Sequence, residues 1–235
     1  MAIILNIETA TQFCSVALSG AGELLVKEGN EKNTHSQLVT LMINDLLTKS
    51  ELKPSSIDAV AVSMGPGSYT GLRIGVSVAK GLCYALDKPL LAISTLQAMA
   101  VGMKEIFHME NDQATQAFFC PMIDARRMEV YSAVFSSTNQ QVREIKAEII
   151  DQTSFAGEIT KGLVVFGGDG AAKCKTLLAN NPNAFFLDGF HPSAQYMAAL
   201  AEEKFVSRKF ENVAYFEPFY LKDFIAALPR VKGLQ

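Results

Sequence analysis

Histidine is scarce in this chain, and the few copies stand apart. His35, His108 and His191 are the whole supply among 235 residues, they fall in different predicted elements, and none has a second histidine at helical metal-ligand spacing. The pattern gives no support to a histidine metal site or a serine-histidine-acid triad. The cysteines are as dispersed: Cys14, Cys83, Cys120 and Cys174 form no C-x-x-C, which argues against a disulfide framework or zinc site. They read as reduced, buried thiols of a cytoplasmic protein. No apolar run is long enough to span a bilayer. The opening MAIILNIETA lacks a basic n-region and meets Glu8 early, as a first strand does and a signal peptide does not. A basic cluster is missing too. Net charge is -3 with Lys and Arg scattered, so any nucleic acid is expected to be held through a partner.

Apolar residues, in contrast, make up 49% of the chain, ample for a core. Their patterning repeats. IILNIE (3–8) is a buried strand, FCSVAL (13–18) a second and LLVKE (24–28) a third. Asn33 or Thr34 can cap a helix carrying Leu38, Val39, Leu41, Met42, Ile43, Leu46 and Leu47. A strand (59–64), a glycine loop, a helix to about Leu86, a strand (89–93) and a helix from Ser94 follow. QAFFCPMID (116–124), EVYSAVF (129–135) and VREIKAEII (142–150) then restart the order. A helix near 152–161, the strand LVVFG (163–167), the glycine turn GGDGA, a helix, the strand AFFL (184–187) and a helix after Pro192 complete it. Two copies of β-β-β-α-β-α predict an α/β fold of two tandem ribonuclease H-like, actin-like ATPase subdomains flanking a cleft. The expected boundaries are 1–110, which carries the partner-binding helices, and 111–222, with 223–235 as a tail.

In that layout the two first-strand turns face each other and cradle phosphates. Glu8 and Thr9 would face Asp124 across the cleft, with Gly168 and Gly170 in the second glycine turn, and the two acids would hold Mg²⁺. Acids at strand ends are also common as plain solvated turn residues, and fold analogy is a weak warrant for function. An actin-like ATPase or small-molecule kinase is one reading of this chain; a metallopeptidase is another.

The stretch GPGSYTGLRIG (65–75) matches none of three familiar glycine motifs. Walker A needs Gly and Lys where Thr70 and Gly71 stand; G-x-G-x-x-G fails by one residue; G-x-S-x-G fails at Pro66 and Thr70. Ser68 is placed to cap the helix that follows. On that helix Gly71, Gly75 and Ala79 fall at i, i+4 and i+8, one smooth stripe, and interior glycine costs about 1 kcal/mol relative to alanine. Such a stripe marks close contact, either with the helix's own sheet or with another chain. The broad apolar girth of the helix at 35–47 favours a seam between chains. The candidate docking residues are His35, Leu38, Leu41, Met42 and Asp45 on the first helix, and Gly71, Leu72, Gly75, Val76 and Ala79 on the second. A Gly75→Leu substitution is then expected to abolish association and spare the fold.

ILNIETAT, FCSVAL, NTHSQL, GPGSYTGLRIGVSVAKGL, STLQAMA, IDARRMEVYSA and FGGDGA, in that order, resemble the TsaB (YeaZ) family over residues 1 to about 222. The resemblance implies a non-catalytic subunit of the machinery that makes N6-threonylcarbamoyladenosine in tRNA. It implies TsaD and TsaE as partners, a helical bundle as the contact with TsaD, a homodimer when alone, and tRNA met only through the complex. It also implies that this chain needs no cofactor, ATP or ADP and metal belonging to the partner subunits. The catalytic relative carries a metal-binding His-x-x-x-His where this chain has Thr95 and Met99, and a hydroxyl and a thioether do not replace two imidazoles. Glu8 stands where many relatives have Asp, Gln37 where they have Glu, and Lys222 where they have Arg, which loses the planar fork.

Overall fold

The computed structural model describes residues 1–20, 22–29, 35–110 and 117–222. The first half runs β1 (Ile4–Glu8), β2 (Cys14–Ser19), β3 (Leu25–Gly29), α1 (His35–Lys49), β4 (Ala59–Gly65), α2 (Tyr69–Leu86), β5 (Leu90–Ser94) and α3 (Thr95–Glu110). The second runs β6 (Phe118–Asp124), β7 (Glu129–Phe135), β8 (Gln141–Ile149), α4 (Ala156–Lys161), β9 (Val164–Gly167), α5 (Asp169–Leu178), β10 (Ala184–Leu187) and α6 (Ala198–Val206). Each half builds a five-stranded mixed sheet, ordered β3-β2-β1-β4-β5 and β8-β7-β6-β9-β10. In both, the first three strands form an antiparallel meander, and the first strand pairs in parallel with the fourth. The doubled α/β layout expected from element order is the observed one. The capping residues Asn33 and Thr34 and the tail 223–235 lie outside the described residues.

The layers follow from which strand faces are apolar. One face of the first sheet (Leu5, Ile7, Val16, Val60, Val62) buries α1 and α2 through Val39, Ile43, Leu46, Val76 and Ala79. One face of the second (Cys120, Val130, Val164, Phe166) buries α4 and α5 through Ile159, Ala171, Cys174 and Leu178. Both remaining faces look inward, and the helix covering each is exchanged between the halves. α3 lays Leu96, Met99, Met103 and Phe107 on Phe119, Ile123 and Val165 of the second sheet. The C-terminal Ala194, Met197 and Ala201 lie on Ile4, Ala59, Ala61 and Ile93 of the first.

Two helix expectations change at their ends. Asp151 Oδ1 accepts from the amides of Thr153 and Ser154 at 2.8 and 2.9 Å, and Phe155 adopts φ 63° with its ring buried. That turn uses the amides a helix would need, so α4 starts at Ala156, not near 152. After Pro192, a 3-10 turn (Ala194–Met197) capped by Ser193 precedes α6.

From α6 the chain returns over the first half as a strap. Glu211 N donates to Leu90 O at 2.9 Å and Phe219 N to Met64 O at 2.7 Å. Lys80 Nζ donates to Ala214 O and Phe216 O, both at 3.1 Å.

Candidate functional site

The glycine loop and α2 are shaped by the turn after β1. Ser68 caps α2 as expected, its hydroxyl accepting from Gly71 N at 3.3 Å, while Ser68 N donates to Ala10 O at 2.7 Å. A Cβ on Gly67 would collide with Ala10 O, one on Gly71 with Thr9 O, and one on Gly75 with Thr9 Oγ1. Gly65, at φ 111°, lies under the strap, 2.6 Å separating its Cβ position from Phe219 O. The smooth stripe is thus filled by the chain's own β1–β2 turn.

This corrects most of the docking set. Gly71, Leu72, Gly75, Val76 and Ala79 are all buried within the chain. On α1, Met42 is buried and Leu38 packs against the same core, because the first sheet is wide enough to consume nearly all of that helix's apolar girth. Leu41 alone of these apolar positions faces out, 60% exposed, and Asp45 is exposed beside its ion-pair partner Lys27. His35 opens α1. Gly75→Leu would strike Thr9 and damage the fold before any association.

The outward surface lies on the other side of α2. Ser36, Tyr69, Thr70, Arg73, Ile74, Ser77 and Val78 line a groove of ≈ 390 Å³ between α1 and α2. Further along α2, Tyr84 is 86% exposed, and a Cβ on Gly81 would meet nothing within 4 Å. Sequence reasoning passed over these positions; the signal available was Gly81 and Tyr84 standing on the helix face opposite the Gly71–Gly75–Ala79 stripe.

A cleft of ≈ 490 Å³ separates the halves, lined by Thr11, Ser68, Thr70, Asp124, Arg126, Tyr131, Asp169 and Lys222 among others. The predicted nucleotide set is not gathered there. Glu8 is 1% exposed; its Oε1 accepts from Ala10 N at 2.6 Å, and burial pushes its pKa up to about 7 against the pull of that bond. Among the described residues the Thr9 hydroxyl is buried without a hydrogen-bond partner, and the Ser63 side chain also pulls the Glu8 pKa down. Gly168 and Gly170 back onto β6: a Cβ on Gly168 would collide with Met122 O, and one on Gly170 would fall 2.9 Å from Ile123 C. Asp124 alone of the five lines the cleft, ion-paired with Lys173 and accepting from Arg126 N at 2.8 Å. Its backbone N–H donates to Asp169, whose carboxyl burial pushes up.

The four cysteines are free and buried, as expected. Among the described residues no helix is long and apolar enough to cross a membrane, and no three His, Cys, Asp or Glu side chains stand where they could hold a metal ion. His191 stacks on Phe13 with centroids 4.2 Å apart, away from the cleft lining.

Residues 30–228 match the family model described as TsaD, tRNA N6-adenosine threonylcarbamoyltransferase. The "tRNA threonylcarbamoyladenosine biosynthesis protein TsaB" of Haemophilus influenzae is 31% identical over 230 residues, 94% of this chain and 93% of that protein. This chain belongs to the TsaB family. Its TsaB relative in Escherichia coli is also 31% identical, over 95% of this chain and 96% of that protein. The solved structure "YeaZ from Pseudomonas aeruginosa" superimposes with a TM-score of 0.78 at 26% identity, covering 94% of this chain and all of that one. By contrast, a tRNA N6-adenosine threonylcarbamoyltransferase from Syntrophobacter fumaroxidans is 24% identical, and the match spans 45% of its length.

The metal that the resemblance to the transferase implies does not fit the residues at Thr95 and Met99. Thr95 is fully buried, and its hydroxyl accepts from Gly65 N at 3.2 Å, bracing the glycine loop. Met99 is fully buried in the α3 core. Both side chains are structural here, and neither type serves a borderline cation.

Proposed function

We propose that this chain is a non-catalytic subunit in tRNA N6-threonylcarbamoyladenosine formation, which binds and activates the catalytic TsaD transferase through the exposed side of α1 and α2. The carrying observation is a contrast within one helix. The inner side of α2 is filled by the β1–β2 turn, while the outer side leaves a groove, an open glycine at Gly81 and an exposed tyrosine at Tyr84. Exposed apolar and aromatic surface beside a small residue suits a docked helix. TsaD is the named occupant because full-length relatives are named for the same biosynthesis and the family model is that of the transferase. A related fold would offer a matching pair of helices, so the same face would serve a homodimer when the chain is alone. TsaE would join the pair, and tRNA, nucleotide and metal would meet the partners.

The non-catalytic part of this reading rests on Thr95 and Met99 being core residues and on Glu8 being sealed under its own turn. Reconstitution tests it: threonylcarbamoyl transfer to tRNA is measured with TsaD and TsaE orthologues, with and without this chain, and then with Gly81→Arg. Because the space over Gly81 is open, Gly81→Arg is expected to keep the melt of the free chain and to lose both the complex on size-exclusion chromatography and the transfer. A Gly81→Arg chain that still docks would move the contact elsewhere. Steady Mg-ATP turnover by the isolated chain would promote the ATPase or kinase reading instead.

A further inference from the structure

The strap at 211–222 joins three places that the function above treats separately. Its start is held along the first half by the Leu90 and Lys80 bonds described above, and Phe219 lies on the glycine loop. The Tyr220 ring then packs on Tyr69 at the first residue of α2, centroids 4.9 Å apart. Tyr69 is itself held by α2: Arg73 Nη1 donates to its hydroxyl at 3.0 Å, with the guanidinium 5.4 Å from the ring centre. Two residues on, Lys222 leaves the first half and ion-pairs with Glu129, at the start of β7 in the second. Tyr220, Leu221 and Lys222 line the cleft, and Tyr69 and Thr70 line both the cleft and the α1–α2 groove. One continuous path therefore runs from the docking helix, through Arg73, Tyr69, Tyr220 and Lys222, to the opposite lobe.

We propose that this strap couples the closure of the cleft to the docking face. Lys222 on Glu129 sets how near the second lobe stands, and Tyr220 passes that setting to Tyr69 and Arg73, which form one end of the groove a partner would occupy. Opening the lobes pulls Tyr220 from Tyr69 and leaves the start of α2 without its outer support; a partner pressing on Arg73 and Tyr69 favours the closed arrangement. The linkage is reciprocal, as any coupling between two sites must be. This inference rests on the docking reading for its partner, and on the geometry of the free chain for the rest.

The test uses the full chain and two readouts. Hydrogen exchange by mass spectrometry follows the start of α2 and the β6–β7 turn in the free protein, and titration with the TsaD orthologue measures docking. Lys222→Glu and Tyr220→Ala are each expected to raise exchange at the start of α2 and to weaken docking by about tenfold, within the usual span of coupling between sites. Lys222→Arg keeps the charge and is expected to match the parent chain in both. Glu129→Gln should act like Lys222→Glu, and the two together no worse than either, since they remove the same bond. Unchanged exchange at α2 in Lys222→Glu and Tyr220→Ala overturns the proposal, as does raised exchange with undiminished docking. Should Gly81→Arg leave docking intact, the proposed docking face fails on its own account, and the exchange measurement still decides whether the strap reaches α2.

Discussion

The two halves share a topology strand for strand and use it in opposite ways. In the first, the acid ending the leading strand, Glu8, is sealed and held near neutrality; in the second, its counterpart Asp124 is 48% exposed and ion-paired with Lys173. The first glycine loop feeds an 18-residue helix beside one of 15, long enough to present a platform. The second feeds a 10-residue helix beside one of 6. The lesson is that pressing the leading turn of a lobe onto the following helix changes which surfaces that lobe leaves open. The turn closes over the acid, and the helix gains a rigid back and a free front.

Breaking the first half at its tightest point is expected to have the largest effect. Gly71→Leu drives a side chain into the Thr9 carbonyl, which is backbone and cannot step aside. Destabilisation at or beyond the upper end of the about 1–3 kcal/mol typical of overpacking should appear in urea unfolding. Gly81→Ala, on the free front of the same helix, should instead stabilise by up to about 1 kcal/mol. Equal losses from the two would refute the front-and-back account of α2.

Glu8 supplies the next test. Its folded pKa of about 7 lies above the 4.5 of an unburied glutamate. Folding therefore favours the protonated form, and the stability it confers is full below pH 4.5 and lost as pH rises through 7. The loss is about 3 kcal/mol on linkage arithmetic. Glu8→Gln should remove that slope, so the gap between variant and parent in melts from pH 4.5 to 8 should widen in favour of the variant. A constant gap would mean that Glu8 titrates normally. Asp124→Asn is expected to have the smallest effect: an exposed ion pair is worth about 0–1 kcal/mol, and its loss should barely move the melt.

Much of the fold was legible because buried strands and amphipathic helices leave local periodicities. The strands of both halves stood near their predicted bounds, and Ser68 was readable as a cap because a hydroxyl before a helix has one common use. Four buried thiols were readable from spacing and the lack of a paired motif. The side of α2 that stays exposed was not. A stripe of Gly71, Gly75 and Ala79 says that something comes close, and its identity, the Thr9–Ala10 turn some sixty residues earlier in the chain, is not encoded in that helix. The nucleotide set failed for a similar reason: Glu8 and Asp124 occupy matching places in sequence order, and only three-dimensional packing distinguishes a sealed carboxyl from a solvated one.

By itself the sequence determined the number and order of strands, the doubled plan, the position of the glycine loop and the family, since each is carried by local pattern or by residues in series. Tertiary structure alone decided that α3 and α6 trade lobes, that the smooth side of α2 is spent internally, and that the strap ends on the opposite half. Those outcomes depend on which surfaces meet after collapse, and burial energy between distant segments is a property of pairs, not of either segment alone.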